Sequence, residues 1–452
     1  MKTTFEIAKS GLFSAERSLS TTANNIINAN TPGYSRQRVD KAPMGQNIGH
    51  LNMGLGVNVL AVNRARNEMI DLQLHQRRSH MGMMQEQKAV FEQLEASLIT
   101  DSGADLDYRI GRFFDLFSEL SNDPQDMSVR NNLVSEAVQL TSHMRDISDS
   151  MEQISENSSY SGEKTIQRIN ELLNDLSKLN ETIRSAEAMN RPDNAGLDMR
   201  VKLLEELSGL VDFETTNLPS GSLGIHIGGV EVLSETVVRP LQADINNTDK
   251  TFVLRLDNGT VVRPTGGKLA AAMSLYTDDI PALKERLDLL AETIVTEVNA
   301  LHQQGFGLLD DQPRDFFDPA GTDASSIRVL DEIVADHRHV AASSVAGEAG
   351  NSEIAASMAN LRNERLIDGS RVVDYAVRLM SEPGSRLSHL RNEMQTRESE
   401  IQMLEEQQQR ESGVNLDEEL TLMIQYQNAY QGAARVLAAA QNMYDTLLSV
   451  LR

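Results

Sequence analysis

Residues 416–452, LDEELTLMIQYQNAYQGAARVLAAAQNMYDTLLSVLR, place Leu416, Leu420, Met423, Gln427, Tyr430, Ala434, Leu437, Gln441, Tyr444, Leu448 and Leu451 at alternating steps of three and four. That spacing keeps one stripe of a helix turned toward a partner helix. The other end of the chain holds a matching stripe: Phe5, Ala8, Leu12, Ala15, Leu19, Thr22 and Ile26. Asn415 followed by Glu418, directly after Ser412-Gly413, marks a helix start, and so does Thr3 followed by Glu6. The first helix is expected to stop at Thr31-Pro32-Gly33-Tyr34, where Pro and Gly suit the central positions of a type II turn. Two short seams at opposite ends of one chain can bury each other, so the ends are expected to pair.

The faces outside these seams are unusual. From Thr421 to Leu451 the only charged residues are Arg435 and Asp445, whereas solvated helices carry many Lys and Glu. A helix uncharged all round, yet not oily, suits contact with protein on several sides. Further inward, more helical seams appear at Leu133 to Ile154, at Ile166 to Ile183 (interrupted by Asn180), over 281–304 and over the charged stretch 386–411. Strand patterns concentrate at 211–265, with turn signals at Gly228-Gly229 and Asn258-Gly259, and a weaker strand at Ile327 to Val334. The chain therefore runs out through helices to a β module and returns.

Composition narrows the function. Of 452 residues, 42 are Lys or Arg and 66 are Asp or Glu, a net charge of −24 that repels nucleic acid and anionic membranes. The absence of Cys removes disulfides, thiolate metal sites and Cys nucleophiles. No stretch is apolar enough to span a bilayer, and the opening MKTTFEIAKSGL lacks the apolar core of a secretory signal, so export would need another route.

No motif specifies catalysis or a cofactor. H-E-x-x-H, G-x-S-x-G and the phosphate-binding G-x-x-x-x-G-K-[ST] do not occur. His337 and His339 lack a third ligand nearby and read as a solvated loop. The acidic run Asp310, Asp311, Asp315, Asp318 and Asp323 misses the alternate spacing of a calcium loop and reads as a surface turn. No metal, cofactor or enzymatic activity is expected.

Three segments carry a specific resemblance. Ala23-Asn24-Asn25-Ile26 followed by Asn28, Asn30, Thr31, Pro32, Gly33, Tyr34, Ser35, Arg36 and Gln37 resembles the N-terminal motif of the bacterial flagellar rod, hook and axial protein family. Ser412 to Glu419, with Tyr426-Gln427 and Ala429-Tyr430-Gln431, is similar to the C-terminal end of its hook-associated members. So is Gly267-Lys268-Leu269 with the helix ending Glu297 to Gly305. The resemblance implies a structural, homo-oligomeric component at the hook–filament junction, exported without a cleaved signal to the extracellular flagellum. It implies hook protein and the second hook-associated protein as partners, and an export chaperone on the C-terminal helix. The alternatives are another axial protein or, less well supported, a secreted coiled-coil adhesin or effector.

The expected fold is mainly α with a β-rich insertion: paired terminal coiled-coil helices, an elongated helical bundle and an outer antiparallel β domain. Residues 1–62 and 412–452 are assigned to the terminal pair with its linker. Residues 63–210, 266–305 and 346–411 are assigned to the rod, and 211–265 and 306–345 to the outer β domain. Asn25, Asn28, Asn30, Thr31, Pro32, Gly33, Tyr34, Ser35 and Arg36 are the expected N-terminal assembly motif. The expected assembly seam is Phe5, Leu12, Leu19 and Ile26 with Leu416, Leu420, Met423, Tyr430, Ala434, Leu437, Tyr444, Leu448 and Leu451.

Overall fold

The structure, a computed structural model, describes residues 2–48, 51–98, 105–189, 191–308 and 312–450. Helix α1 (Lys2–Ile27) leads through the turn at Thr31–Tyr34 into a long antiparallel hairpin, β1 (Gln37–Ile48) and β2 (Leu51–Arg64). Helices α2 (Glu68–Leu98), α3 (Leu106–Asn122), α4 (Met127–Ala188) and α5 (Asn194–Leu210) follow. Two antiparallel meanders come next. One is β3 (Glu214–Asn217), β4 (Leu223–Ile227), β5 (Val230–Ser234) and β6 (Val237–Val238); the other is β7 (Leu241–Asn246), β8 (Thr251–Leu256) and β9 (Val261–Val262). The return path is α6 (Gly267–Ser274), a π-turn, α7 (Ile280–His302), the short α8 (Asp331–Ala335), α9 (Glu353–Asn360), α10 (Val372–Ser412) and α11 (Leu416–Val450).

The 62-residue α4 is the spine, about 93 Å long at 1.5 Å per residue. The two seams read at Leu133 to Ile154 and Ile166 to Ile183 are the two halves of this one helix. The first half packs with α2, α3 and α7 in one core; the second packs with α5 and β4, β5, β7 and β8 in another. Asn180, which interrupts the second seam, is fully buried because it completes the β layer. Its amide donates to Leu223 O (2.8 Å) and Glu235 O (2.6 Å) and accepts from Leu223 N (3.1 Å). Ten residues earlier, Asn170 pins Leu241 at the start of β7 by the same two-way contact.

Several details depart from the sequence reading. Residues 306–308 and 312–345 do not join the outer β domain. They hold isolated bridges such as Phe317 to Val329, and Phe316, Phe317, Ile327, Val329 and Ile333 are buried in the helical core. The cause is aromatic packing: Phe316 lies 5.7 Å from Phe113 and 5.9 Å from Phe117, and Asn299 binds the N–H of both Phe316 and Phe317 at 2.9 Å. His302 completes this clasp, with Nδ1 on Arg314 O (2.7 Å) and Nε2 accepting from Ala341 N (2.9 Å). The expected strand at Ile327 to Val334 is a bridge followed by a helical turn, and His337–His339 is a 3-10 turn. Asp310 and Asp311 lie outside the described residues. Gly228 and Gly229, both at positive φ, form the expected two-residue turn between Ile227 and Val230. The Asn258-Gly259 loop is longer, because Leu256 N pairs with Thr260 O.

The largest omission is the hairpin 37–64, read only as linker. Pro43, Gly45, Gly54 and Gly56, with two register shifts, break the alternation that would announce it. Its edges are guarded differently. Strand β2 has no charge before Arg64, and it lies along α1, where Val57 N donates to Ser10 Oγ (3.2 Å). Strand β1 carries Arg38, Asp40, Lys41 and Pro43, residues that discourage further pairing.

Replacing Asn180 with Ala should strand Leu223 N–H and two carbonyls in a dry core. The expected cost is about 2–4 kcal/mol in urea unfolding, with faster hydrogen exchange in β4. A loss under about 1 kcal/mol would show that water replaces the amide.

Candidate assembly site

Helices α1 and α11 pair antiparallel. A Cβ at Gly11 would sit 3.7 Å from Ala433 Cβ, while Asn25 meets Glu419 at the opposite end of the pair. The buried and half-buried line on α1 is Ala8, Gly11, Ala15, Ser18, Thr22 and Asn25; on α11 it runs through Glu419, Leu422, Tyr426, Ala433 and Ala440. It shares Ala8, Ala15 and Thr22 with the stripe read from the sequence, while the larger seam residues lie beside it. Small side chains permit close approach of the backbones, and the Asn25–Glu419 contact sets the rotation of each helix.

The seam residues flank that line. Leu12, Leu19, Ile26, Met423, Ala434 and Leu437 are half-buried, and Phe5 and Tyr430 are each 39% exposed. Leu416, Leu420 and Tyr444 are largely exposed. Leu451 lies outside the described residues, and of Leu448 only the backbone is described. Because the helices are antiparallel, the offsets of the Phe5-to-Ile26 row and the Met423-to-Tyr444 row turn to the same side. The two rows border the groove between the helices on that flank, and none of their residues is charged.

The N-terminal motif closes one end of this pair with a buried polar knot. Gly33, at φ 77°, permits the type II turn, and Tyr34 N returns to Thr31 O at 3.1 Å. Asn28 donates to Asn24 O (3.0 Å) and accepts from Thr31 Oγ1 (3.2 Å), so these two build the turn, while Asn30 and Pro32 are exposed on it. The turn swings Tyr34 and Gln37 back onto Asn25, which is 1% exposed and uses its whole amide. It donates to Gln37 O (2.9 Å) and Glu419 Oε2 (3.0 Å), and accepts from Tyr34 Oη (2.9 Å) and Gln37 N (2.9 Å). Arg36 binds the other oxygen of Glu419 at 2.7 Å, and also Glu418 at 2.9 Å. Burial, with Asp198 and Glu419 nearby, pushes the Tyr34 phenol up to about 12, so it stays a donor.

The knot continues into the rod. Ser35 N reaches Asp198 of α5 (3.3 Å), which also binds Arg64 (2.8 Å). Arg66 touches Ser35 Oγ and grips Asp71 of α2 through two bonds (2.6 and 2.9 Å), and Gln408 of α10 donates to the same carboxylate. Glu419, Asp198 and Asp71 are absent from the expected site. Among them only Glu419 had a sequence signal, as a member of the Ser412-to-Glu419 segment. Asn415 caps α11 as expected, accepting from Asp417 N (3.0 Å); Thr3, by contrast, lies inside α1.

An elongated helical chain that joins its two ends, and leaves apolar side chains exposed beside the joint, has the build of an axial subunit. The comparisons agree with that class. A family model for the helical domain of the flagellar hook-associated protein FlgK matches residues 91–317, half of the chain. Models for flagella basal body rod protein and for the FlgEFG rod-protein C-terminus match residues 5–34 and 407–450. Among curated relatives, flagellar hook-associated protein 1 of Bacillus subtilis is 28% identical, over 98% of this chain and 97% of that one. Its namesake in Salmonella typhimurium is 22% identical over 98% and 99%. A solved flagellar hook junction protein FlgK from Burkholderia pseudomallei aligns over 55% of this chain and 46% of that one, at 19% identity and a TM-score of 0.49, too partial to carry an argument. The chain belongs to the flagellar hook-associated protein FlgK family. It is a structural component of the bacterial flagellum, at the junction of hook and filament, and assembles with other flagellar axial proteins.

Replacing Asn25 with Ala should cost about 3 kcal/mol, since it strands Glu419, Tyr34 and the Gln37 peptide; Tyr34→Phe should cost about 1 kcal/mol. Hydrogen exchange in α1 and the first turns of α11 reads both, and equal costs would contradict the central place given to Asn25. Beside the knot, burial pulls His75 down to about 4; Asp71 opposes this and Arg78 and Arg66 add to it. An unfolded His75 takes a proton near pH 6.5, so stability is unaffected above that pH and falls between 6.5 and about 4, by up to roughly 1.4 kcal/mol per unit. His75→Phe should remove this slope in urea unfolding from pH 7 to 5; an unchanged slope would place the acid sensitivity elsewhere.

Proposed function

We propose that the groove between α1 and α11 is the surface on which this chain assembles, receiving the terminal helices of neighbouring axial subunits. The observation that supports it is the state of α11. It is paired along one side only, and Leu416, Leu420 and Ile424 form an i, i+4, i+8 ridge exposed by 45, 49 and 60%. Uncharged, half-covered helices are stable in water only at a cost, and a surrounding ring of like helices removes that cost. In this reading further copies of the chain lie alongside, hook protein below and the second hook-associated protein above. The chain acts by binding alone. Among the described residues no helix is long and apolar enough to cross a membrane. Secretion without a cleaved signal, with a chaperone covering α11 until export, delivers it to the extracellular flagellum.

Changing Leu12 and Leu437 to Asp puts charge into the groove and should block assembly, because a buried unpaired carboxylate costs more than the apolar contact it replaces. The rod and β layers should fold normally by circular dichroism. Added to isolated hooks lacking the junction, the purified double variant should fail to support filament growth where wild type succeeds. Normal growth with the variant would refute the groove as the assembly surface.

A further inference from the structure

A cleft of about 480 Å³ lies where the hairpin end and the starts of α2 and α5 meet strand β3. Three guanidinium groups line it, and two are neutralised: Arg64 by Asp198 and Arg66 by Asp71. Arg200 is not. Its Nη1 donates to Gly221 O at 3.1 Å, and among the described residues no carboxylate lies within ion-pair distance. Burial, and then the Arg64 charge, pull it below the usual arginine range, with Glu68 opposing. Arg200 lines the cleft, and among the described residues only its Nη1 has a hydrogen-bond partner.

Arg130 sharpens the comparison. It too is buried without a carboxylate, and burial pulls it to about 10. Yet it is sealed in and donates to Pro124 O from two nitrogens (3.0 and 2.6 Å) and to Val340 O (2.5 Å). Carbonyl oxygens satisfy it, so it clamps two loops. Arg200 has one such bond and opens on a space large enough for a ligand. The N-terminus of α5 is already capped by Asp193, which accepts from Gly196 N (2.9 Å), so Arg200 supplies the unpaired charge, and Asn194 and Thr215 supply polar groups.

We infer that this cleft binds a single oxyanion group, carboxylate or phosphate, with Arg200 as its main ligand. Glu68 and Glu187, which also line the cleft, limit it to one such group and exclude polyanions. The group comes either from a free anion or from an acidic side chain of a neighbouring copy, and the chain carries 66 of the latter. Bound there, it ties hairpin, rod and β layer together where they meet.

The probe is inorganic phosphate added to the full chain, with ionic strength held constant by sodium chloride. For dilute monomer, the transition temperature should rise by roughly 1–2 °C as phosphate reaches about ten times its dissociation constant. Arg200→Gln should weaken phosphate binding about tenfold or more while remaining as stable as wild type in chloride, since it removes an uncompensated charge. Arg200→Lys should retain part of the response, and it decides the case if the Gln variant does not fold. A second arm uses assembled chain: loss of the phosphate response there identifies a neighbour's carboxylate as the occupant, and a retained response identifies a free anion. A wild type insensitive to phosphate, or a response equal in wild type and both variants, would overturn the inference.

Discussion

The carboxylate of Glu419 is shared between Asn25 and Arg36, and the placement of both chain ends follows from it. A buried carboxylate is costly unless its oxygens are satisfied, and here one oxygen takes the amide and the other the guanidinium. Asn25 can serve only if the turn at Thr31–Tyr34 brings Tyr34 and Gln37 back onto it. Arg36 can serve only if β1 leaves that turn in the direction of α11. One charge thus fixes the exit of α1, the start of α11 and the root of the hairpin.

Rotation of the pair is set at the same point. On the α1 side the line is mostly small residues, Ala8, Gly11, Ala15 and Ser18, which fit closely at several rotations and choose none. With Asn25 and Glu419 facing one another, the larger residues Phe5, Leu12, Leu19, Met423, Tyr430 and Tyr444 are turned to one flank. A polar contact buried at one end thereby creates an apolar groove along the whole pair. The continuation through Asp198, Arg64, Arg66 and Asp71 holds the groove in a defined direction relative to α2, α5 and α10. Residues that read as core in a two-helix picture, such as Leu416, Leu420 and Tyr444, are instead exposed.

Much of this was legible in the sequence, and the remainder shows where periodicity stops informing. The stripes at both ends, the seams of α4, the Gly228-Gly229 turn and the cap at Asn415 each follow from local spacing. Asn180 appears as a flaw in its stripe because its partners, Leu223 and Glu235, are over forty residues away. Phe316 and Phe317 sit in a segment without helical or strand period, and only the aromatic side chains of α3 explain their burial. The hairpin was hidden by its own Pro, Gly and register shifts. The knot was visible by half: the motif supplied Asn25, Tyr34, Ser35 and Arg36, whereas Asp198 and Asp71 are acidic residues on exposed-looking helices until the fold brings them in.

The most direct test of this account is a double-mutant cycle between Arg36 and Glu419, using Arg36→Met and Glu419→Leu, read as the free energy of opening α11 by native-state hydrogen exchange. The account predicts a coupling of about 2 kcal/mol or more, because Arg36→Met leaves the buried Glu419 without its cation, while Glu419→Leu leaves half-buried Arg36 only the exposed Glu418. Additive losses with coupling near zero would mean that the ends are held by the helix contact alone.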